Sequence, residues 1–214
     1  MSKKTKKAAA KAGKKAGKAL AADRKVTHDA AAHRGTLPVR IAALLGEAAD
    51  QPQLITASIG TIAAGLVGRR PDLVRGGARM LAAHLVATAA KTAIKRSIDR
   101  TRPAKALRDG RHRFARGDSH DHELNSFPSG HTAGAVAVAR AASREIDGAA
   151  IPATIGVGAI AAIQPVAGNH YLSDVVVGGA IGWAAEALVD MVFDSIAARV
   201  AAGIDNGRSG MKTA

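Results

Sequence analysis

The sequence predicts an all-α fold, a helical bundle of five or six helices, and three observations carry that prediction. No stretch alternates apolar and polar residues with the period of a half-buried strand. Two runs hold no charge, residues 51–68 over 18 positions and residues 148–169 over 22, which meets the length needed to span hydrocarbon. Hydrophobic residues make up 47% of the chain but aromatics only 2%, so the core must be built from Ala, Val, Ile, Leu and Gly. Side chains that small let helices approach closely, as helices do in lipid. The bundle is therefore expected to be membrane-embedded, a multi-pass protein of the cell membrane.

The elements follow in chain order. Residues 1–36 are Lys/Ala/Gly-rich, with eight lysines in the first 18 residues and no acid before Asp23. Too few large apolar groups are present to offset the entropy of ordering, so a disordered basic tail is expected. Such a tail would draw anionic lipid headgroups, at about 1 kcal/mol per basic residue near the surface; nucleic acid is not the expected partner. Where a signal peptide needs a continuous apolar stretch, this start has Ala, Gly and more charge.

Residues 37–200 form the expected helical domain. Residues 37–50 contain Arg40, Glu47 and Asp50 and are too short and charged to cross, so they are expected to lie along the membrane surface. Crossing helices are expected at 51–68, 73–95, 129–147, 149–168 and 171–193. Arg75, Arg79, Arg140, Arg144, Glu145, Glu186 and Asp190 interrupt three of these and must face protein or an interface. Gly178 and Gly182 form a GxxxG, a close-packing surface. A flexible tail is expected over 201–214.

Between the helices ending near Lys95 and starting near Ser129 lies a polar, arginine-rich loop, 96–127, long enough to be functional. Its His120-Asp121-His122-Glu123 has the composition of a metal site but lacks a further ligand on a helix face, and reads as a solvated acidic patch. With no cysteine in the chain, thiolate chemistry is excluded.

Three clusters carry chemistry. Lys95 and Arg102 are seven apart with Pro103 following, so one helix would set both on one side, and the residue before a proline leaves the α region, letting Arg102 fold back over a site. A phosphoryl group spreads negative charge over its equatorial oxygens, which calls for such fixed cations. Pro128-Ser129-Gly130-His131 opens the next helix: Ser129 caps it, Gly130 allows close approach, and the helix N-terminus points free N–H groups at an anion. His131 stands where it could protonate a leaving oxygen. His170 and Asp174 are four apart, so on a helix they share a face and the carboxylate could orient the imidazole as a nucleophile.

The order and spacing of these clusters resemble the signature of the type 2 phosphatidic acid phosphatase superfamily, KxxxxxxRP, PSGH, SRxxxxxHxxxD, which also contains bacterial acid phosphatases and vanadium haloperoxidases. The resemblance spans roughly residues 74 to 190. It implies a phosphohistidine at His170 oriented by Asp174, His131 as general acid, and phosphate bound by Lys95, Arg102, Ser129 and the Gly130 backbone, with no metal and no cofactor. It also implies a lipid phosphate monoester or pyrophosphate as substrate. One position departs: the signature expects Arg six residues before the nucleophile, and this chain has Gln164, which can donate hydrogen bonds but no charge. Arg96, Arg100 or a loop arginine is expected to replace it. Two other readings fit the same residues, a soluble acid phosphatase or vanadate-binding haloperoxidase, and a non-catalytic basic scaffold with a degenerate pocket.

Overall fold

The computed structural model describes residues 3–211. Eight α-helices lie among them: α1 (Lys3–Ala31), α2 (Leu37–Gly46), α3 (Gln51–Val67), α4 (Pro71–Lys95), α5 (Pro103–Asp109), α6 (Gly130–Glu145), α7 (Ala150–Val166) and α8 (Leu172–Met211). The five expected crossing helices are α3, α4, α6, α7 and α8. Added to them are α1, α2 and the short α5 inside the 96–127 loop.

Local chemistry sets the boundaries. Pro71 opens α4, where its missing N–H costs nothing, and Arg70 pairs with Asp72 in the first turn (2.6 Å). Gly110, at φ 66°, ends α5 in the left-handed region that Gly adopts without strain. The same loop holds a small antiparallel ribbon, β1 (Ile98–Arg100) with β2 (Phe114–Arg116), pairing Ile98 with Arg116 and Arg100 with Phe114. Three residues per strand are too few to leave an alternation pattern in the sequence.

The core lies where α4 packs against α3, α6 and α8. It is filled by Leu54, Met80, Ala83, Ala87, Ala137, Val138, Ala141, Ala185 and Val189. Its alanines keep the helices close, and Gly178 and Gly182 bring α8 onto the α6 backbone. A Cβ at either would lie 2.4 Å from Ser129 O or 2.3 Å from Ala133 O. The start of α8 is thereby fixed against the start of α6.

Residues 1–36, expected as a disordered tail, instead contain α1 from Lys3. Ala and Lys are strong helix formers, and α1 packs against α5, α7 and α8. Lys7, Lys11, Lys14, Lys15 and Lys18 on it are exposed. The flexible tail expected over 201–214 is helical as far as Met211, and 212–214 lie outside the described residues. Among the described residues one helix is long and apolar enough to cross a membrane, Leu172–Val200 within α8, with mean hydropathy 1.6; α7 is apolar but shorter.

Candidate active site

The three clusters converge on one end of the bundle. α4 ends there, α6 and α8 begin there, and the turn leaving α7 carries His170. Lys95, Arg102, Gly130, His131 and His170 line one cavity of about 250 Å³, together with Asp50, His84 and Lys91. Ser129 and Asp174 are fully buried behind it. Gln164 faces an adjoining cavity of about 350 Å³ that shares Asp50, Arg102 and His131. A larger groove of about 380 Å³ between α6 and α7 holds none of the cluster residues.

Lys95 and Arg102 reach the cavity by a route the sequence reading did not anticipate. α4 stops at Lys95 and the chain turns into β1, so no helix joins the two cations; Pro103 starts α5 rather than ending a helix. Arg102 does sit in the extended region (φ −63°, ψ 146°), as the following proline requires. Backbone carbonyls aim both side chains: Lys95 Nζ donates to Asn125 O (2.7 Å) and Arg102 Nε donates to His122 O (2.9 Å).

His170 precedes α8 instead of lying on it. Its Nδ1 donates to the Ser126 carbonyl (2.6 Å), and since a carbonyl can only accept, Nδ1 carries the proton and Nε2 keeps its lone pair in the neutral ring. Burial above all, with the nearby charges of Arg102 and Lys95, pushes the imidazole pKa down to about 4 against the opposing pull of Asp174. At neutral pH the ring is an uncharged base.

The expected Asp174–His170 pairing is corrected in one respect. Asp174 Oδ2 stands 3.8 Å from His170 Nδ1, outside hydrogen-bond reach. The carboxylate instead accepts from Ser126 Oγ (2.6 Å), Tyr171 N (2.9 Å) and the Arg100 guanidinium. It fixes Ser126, whose carbonyl fixes His170. Arg100 is fully buried over the Tyr171 ring, 4.0 Å from its centroid, and its other terminal nitrogen donates to Asp23 of α1 (2.8 Å). Asp23 also accepts from Ser173 N (3.0 Å) and Ser173 Oγ (2.5 Å), and Leu172 N donates to Thr27 Oγ1 (3.3 Å), so α1 is tied to the first turn of α8.

Ser129 caps α6 as expected, its Oγ bonded to Thr132 Oγ1 (3.0 Å), and the first N–H groups of that helix have no intrahelical acceptor. His131 Nε2 donates to Asp50 Oδ1 (2.6 Å), and the His131 and His170 rings lie 6.1 Å apart, edge to face. Asp50 was not singled out from the sequence. It sits at the N-cap of α3, where an aspartate usually bonds the helix backbone, yet its side chain makes no cap bond.

Gln164 is buried, its Oε1 accepting from Asn169 Nδ2 (3.4 Å), while its carbonyl accepts from Asn169 N (3.0 Å) and His170 N (3.3 Å). It therefore braces the turn that carries His170. The proposed replacements do not reach the pocket: Arg100 is held by Asp174 and Asp23, and Arg96 is exposed at the end of α4. Of the acidic patch, Asp121 caps its own turn and Glu123 pairs with Lys105 (2.7 Å) and Arg108 (3.0 Å).

Residues 76–194 match the sequence profile of the PAP2 superfamily. Two solved structures are similar. Aquifex aeolicus LpxE is 20% identical with a TM-score of 0.56, over 77% of this chain and 92% of that one. A transmembrane PAP2-type phosphatidylglycerolphosphate phosphatase from Bacillus subtilis is 18% identical with a TM-score of 0.58, over 83% of this chain and 87% of that one. Both likenesses are of fold. No curated protein sequence matches the chain.

Proposed function

The chain belongs to the PAP2 superfamily, and on that premise we propose that it is a metal-independent phosphatase that removes a monoester or pyrophosphate phosphate from a lipid. The observation that carries this is the tautomer of His170: the Ser126 carbonyl holds Nδ1–H and leaves the Nε2 lone pair facing a pocket of cations.

Nε2 attacks phosphorus as the bond to the leaving oxygen breaks, and His131 gives that oxygen a proton. Charge on the equatorial oxygens is met by Lys95, Arg102 and the free N–H groups of the Ser129-capped helix. Water then attacks the phosphohistidine, His131 takes its proton, the N–P bond breaks, and inorganic phosphate leaves. Asp174 acts throughout as a positioning residue through Ser126. The pocket offers cations to the phosphate, so chelator is expected to leave the rate unchanged.

The lipid assignment rests on what the helices leave uncovered. Ile59 and Leu66 on α3, Ile151 and Ile155 on α7, and Val176, Trp183 and Val192 on α8 are exposed apolar side chains. Only 33% of the most apolar window of α8 is buried. Hydrocarbon is the solvent that makes such surfaces stable, and α3 and α7 each extend ~25 Å, enough for five crossings in a locally thinned bilayer. α1 docks at the pocket end, so its lysines meet anionic headgroups on the face where the substrate enters. A cytoplasmic α1 would put the pocket at the cytoplasmic face.

The test is phosphate release by the purified protein from a panel of phosphorylated lipids in detergent, with and without EDTA, and with acid-quenched trapping of the phosphoenzyme. Release from at least one lipid with label on His170 is the expected result. Vanadate binding without phosphate release from any lipid would overturn the phosphatase reading.

A further inference from the structure

The PAP2 signature puts an arginine at position 164, and here that position carries no charge. A cation enters the pocket from another side. Lys91 lies one turn before Lys95 on α4, so the two share a helix face, and both line the cavity with Arg102, Gly130, His131 and His170. Lys91 comes so close to the α6 N-terminus that a Cβ on Gly130 would lie 2.9 Å from its Nζ. Among the described residues it forms no ion pair; Asp50, the cavity's carboxylate, is bonded to His131.

A second observation points to an anion in the same place. His84, two turns before Lys91 on the same face, lines the cavity at 1% exposure, and neither of its ring nitrogens has a partner. A buried imidazole without a partner is costly unless an occupant supplies one. An oxyanion held by Lys91 would do so.

Resting on the phosphatase reading of this pocket, we propose that Lys91 is its third phosphate-binding cation, delivering from α4 the charge that Gln164 cannot. The clamp is then Lys91, Lys95 and Arg102, two point charges and one fork. Gln164 is freed to brace the turn that carries His170.

The test is a cycle of four proteins in detergent, wild type, Lys91→Gln, Gln164→Arg and the double variant, with Lys91→Arg as the conservative control. Vanadate inhibition and kcat/KM are read on each, with thermal unfolding. Lys91→Gln is expected to weaken vanadate and lower kcat/KM by roughly 10- to 100-fold, the size of one charge-assisted contact, while Lys91→Arg retains most of both. Adding Gln164→Arg to Lys91→Gln is expected to recover at least about tenfold, more than the same change gives in the wild type, because the two cations serve one phosphate. Wild-type vanadate affinity in a folded Lys91→Gln protein, or an equal effect of Gln164→Arg in both backgrounds, would overturn the assignment while leaving the phosphatase reading intact. A wild type that neither binds vanadate nor releases phosphate would overturn both.

Discussion

On the half of α4, α6 and α8 remote from the pocket, eight charges, those of Arg75, Arg79, Arg140, Arg144, Glu145, Glu186, Asp190 and Asp194, have each met an opposite. Arg79 pairs with Glu145 (2.8 Å), Asp190 and Asp194 (3.1 Å), Arg75 with Glu145 (3.0 Å), Arg140 with Glu186 (2.8 Å), and Arg144 with Glu186 and Asp190 (3.0 Å). At the pocket end of the same bundle Lys91, Lys95 and Arg102 form no ion pair among the described residues, and backbone carbonyls alone hold the last two. The residue types match and the bookkeeping differs. Charges buried among helices are tolerated when neutralised in place, so the remote network is a fastening. Cations left unneutralised beside a helix N-terminus keep their field available for an anion.

The sharpest way to test that contrast is to remove the proposed nucleophile. His170→Ala is expected to lower phosphate release by about 10⁴-fold or more, and His131→Ala by roughly 10²- to 10⁴-fold, with vanadate still bound by the cations. Near-normal turnover in folded His170→Ala protein would break the mechanism. The base must also be neutral at working pH. Its folded pKa lies below the unfolded value, so the folded ring is neutral above about pH 4 and the stability this neutral burial contributes is fully present above the unfolded value and lost as pH falls through about 4. In ring nitrogen NMR, His170 is expected to stay in the Nδ1–H form down to about pH 5; titration near 6.5 would contradict the buried, carbonyl-held ring.

Asp50→Asn bears on the carboxylate that lines the pocket beside His131. It removes the negative partner of the His131 imidazolium and is expected to lower kcat by roughly 10-fold and to move the alkaline limb of the rate profile to lower pH. An unshifted limb would mean that Asp50 only steers the ring. At the remote end, Arg79→Ala leaves Glu145 with Arg75 alone and Asp190 with Arg144 alone, and is expected to cost about 1–3 kcal/mol of stability with kcat within twofold of wild type for the folded fraction. A large fall in kcat without a fall in unfolding temperature would erase the distinction between the two ends.

The helices were legible because their signals are local. Runs without charge, the apolar segment 73–95 and Ser129 at a cap position put α3, α4, α6 and α7 within a few residues of where they lie. His170, His131, Lys95 and Arg102 were legible because their spacing is a signature. What stayed hidden depends on partners far away in the chain. Asp50 looks like an ordinary helix cap, Lys91 like one more cation at a helix end, and Ser126 acts through its carbonyl, which no side chain reveals. α1 was hidden by its composition, since Lys, Ala and Gly predict solvation and its docking rests on Asp23 and Thr27, which leave no periodic trace.

Asp23 supplies the finest test, because it joins the two regimes of charge. It is a carboxylate on a basic helix, and through Arg100 it touches the network that holds Asp174, Ser126 and finally His170. Asp23→Asn keeps the shape and removes the charge, leaving Arg100 with Asp174 alone. The expected effect is about a three- to tenfold loss in kcat with KM and vanadate affinity unchanged, since the phosphate clamp does not include α1. Protease cleavage within α1 should become faster as Ser173 and Arg100 hold it less tightly. A change in vanadate affinity instead of kcat would mean that α1 acts on the clamp, and the separation between a substrate-holding set of cations and a nucleophile-holding network would fail.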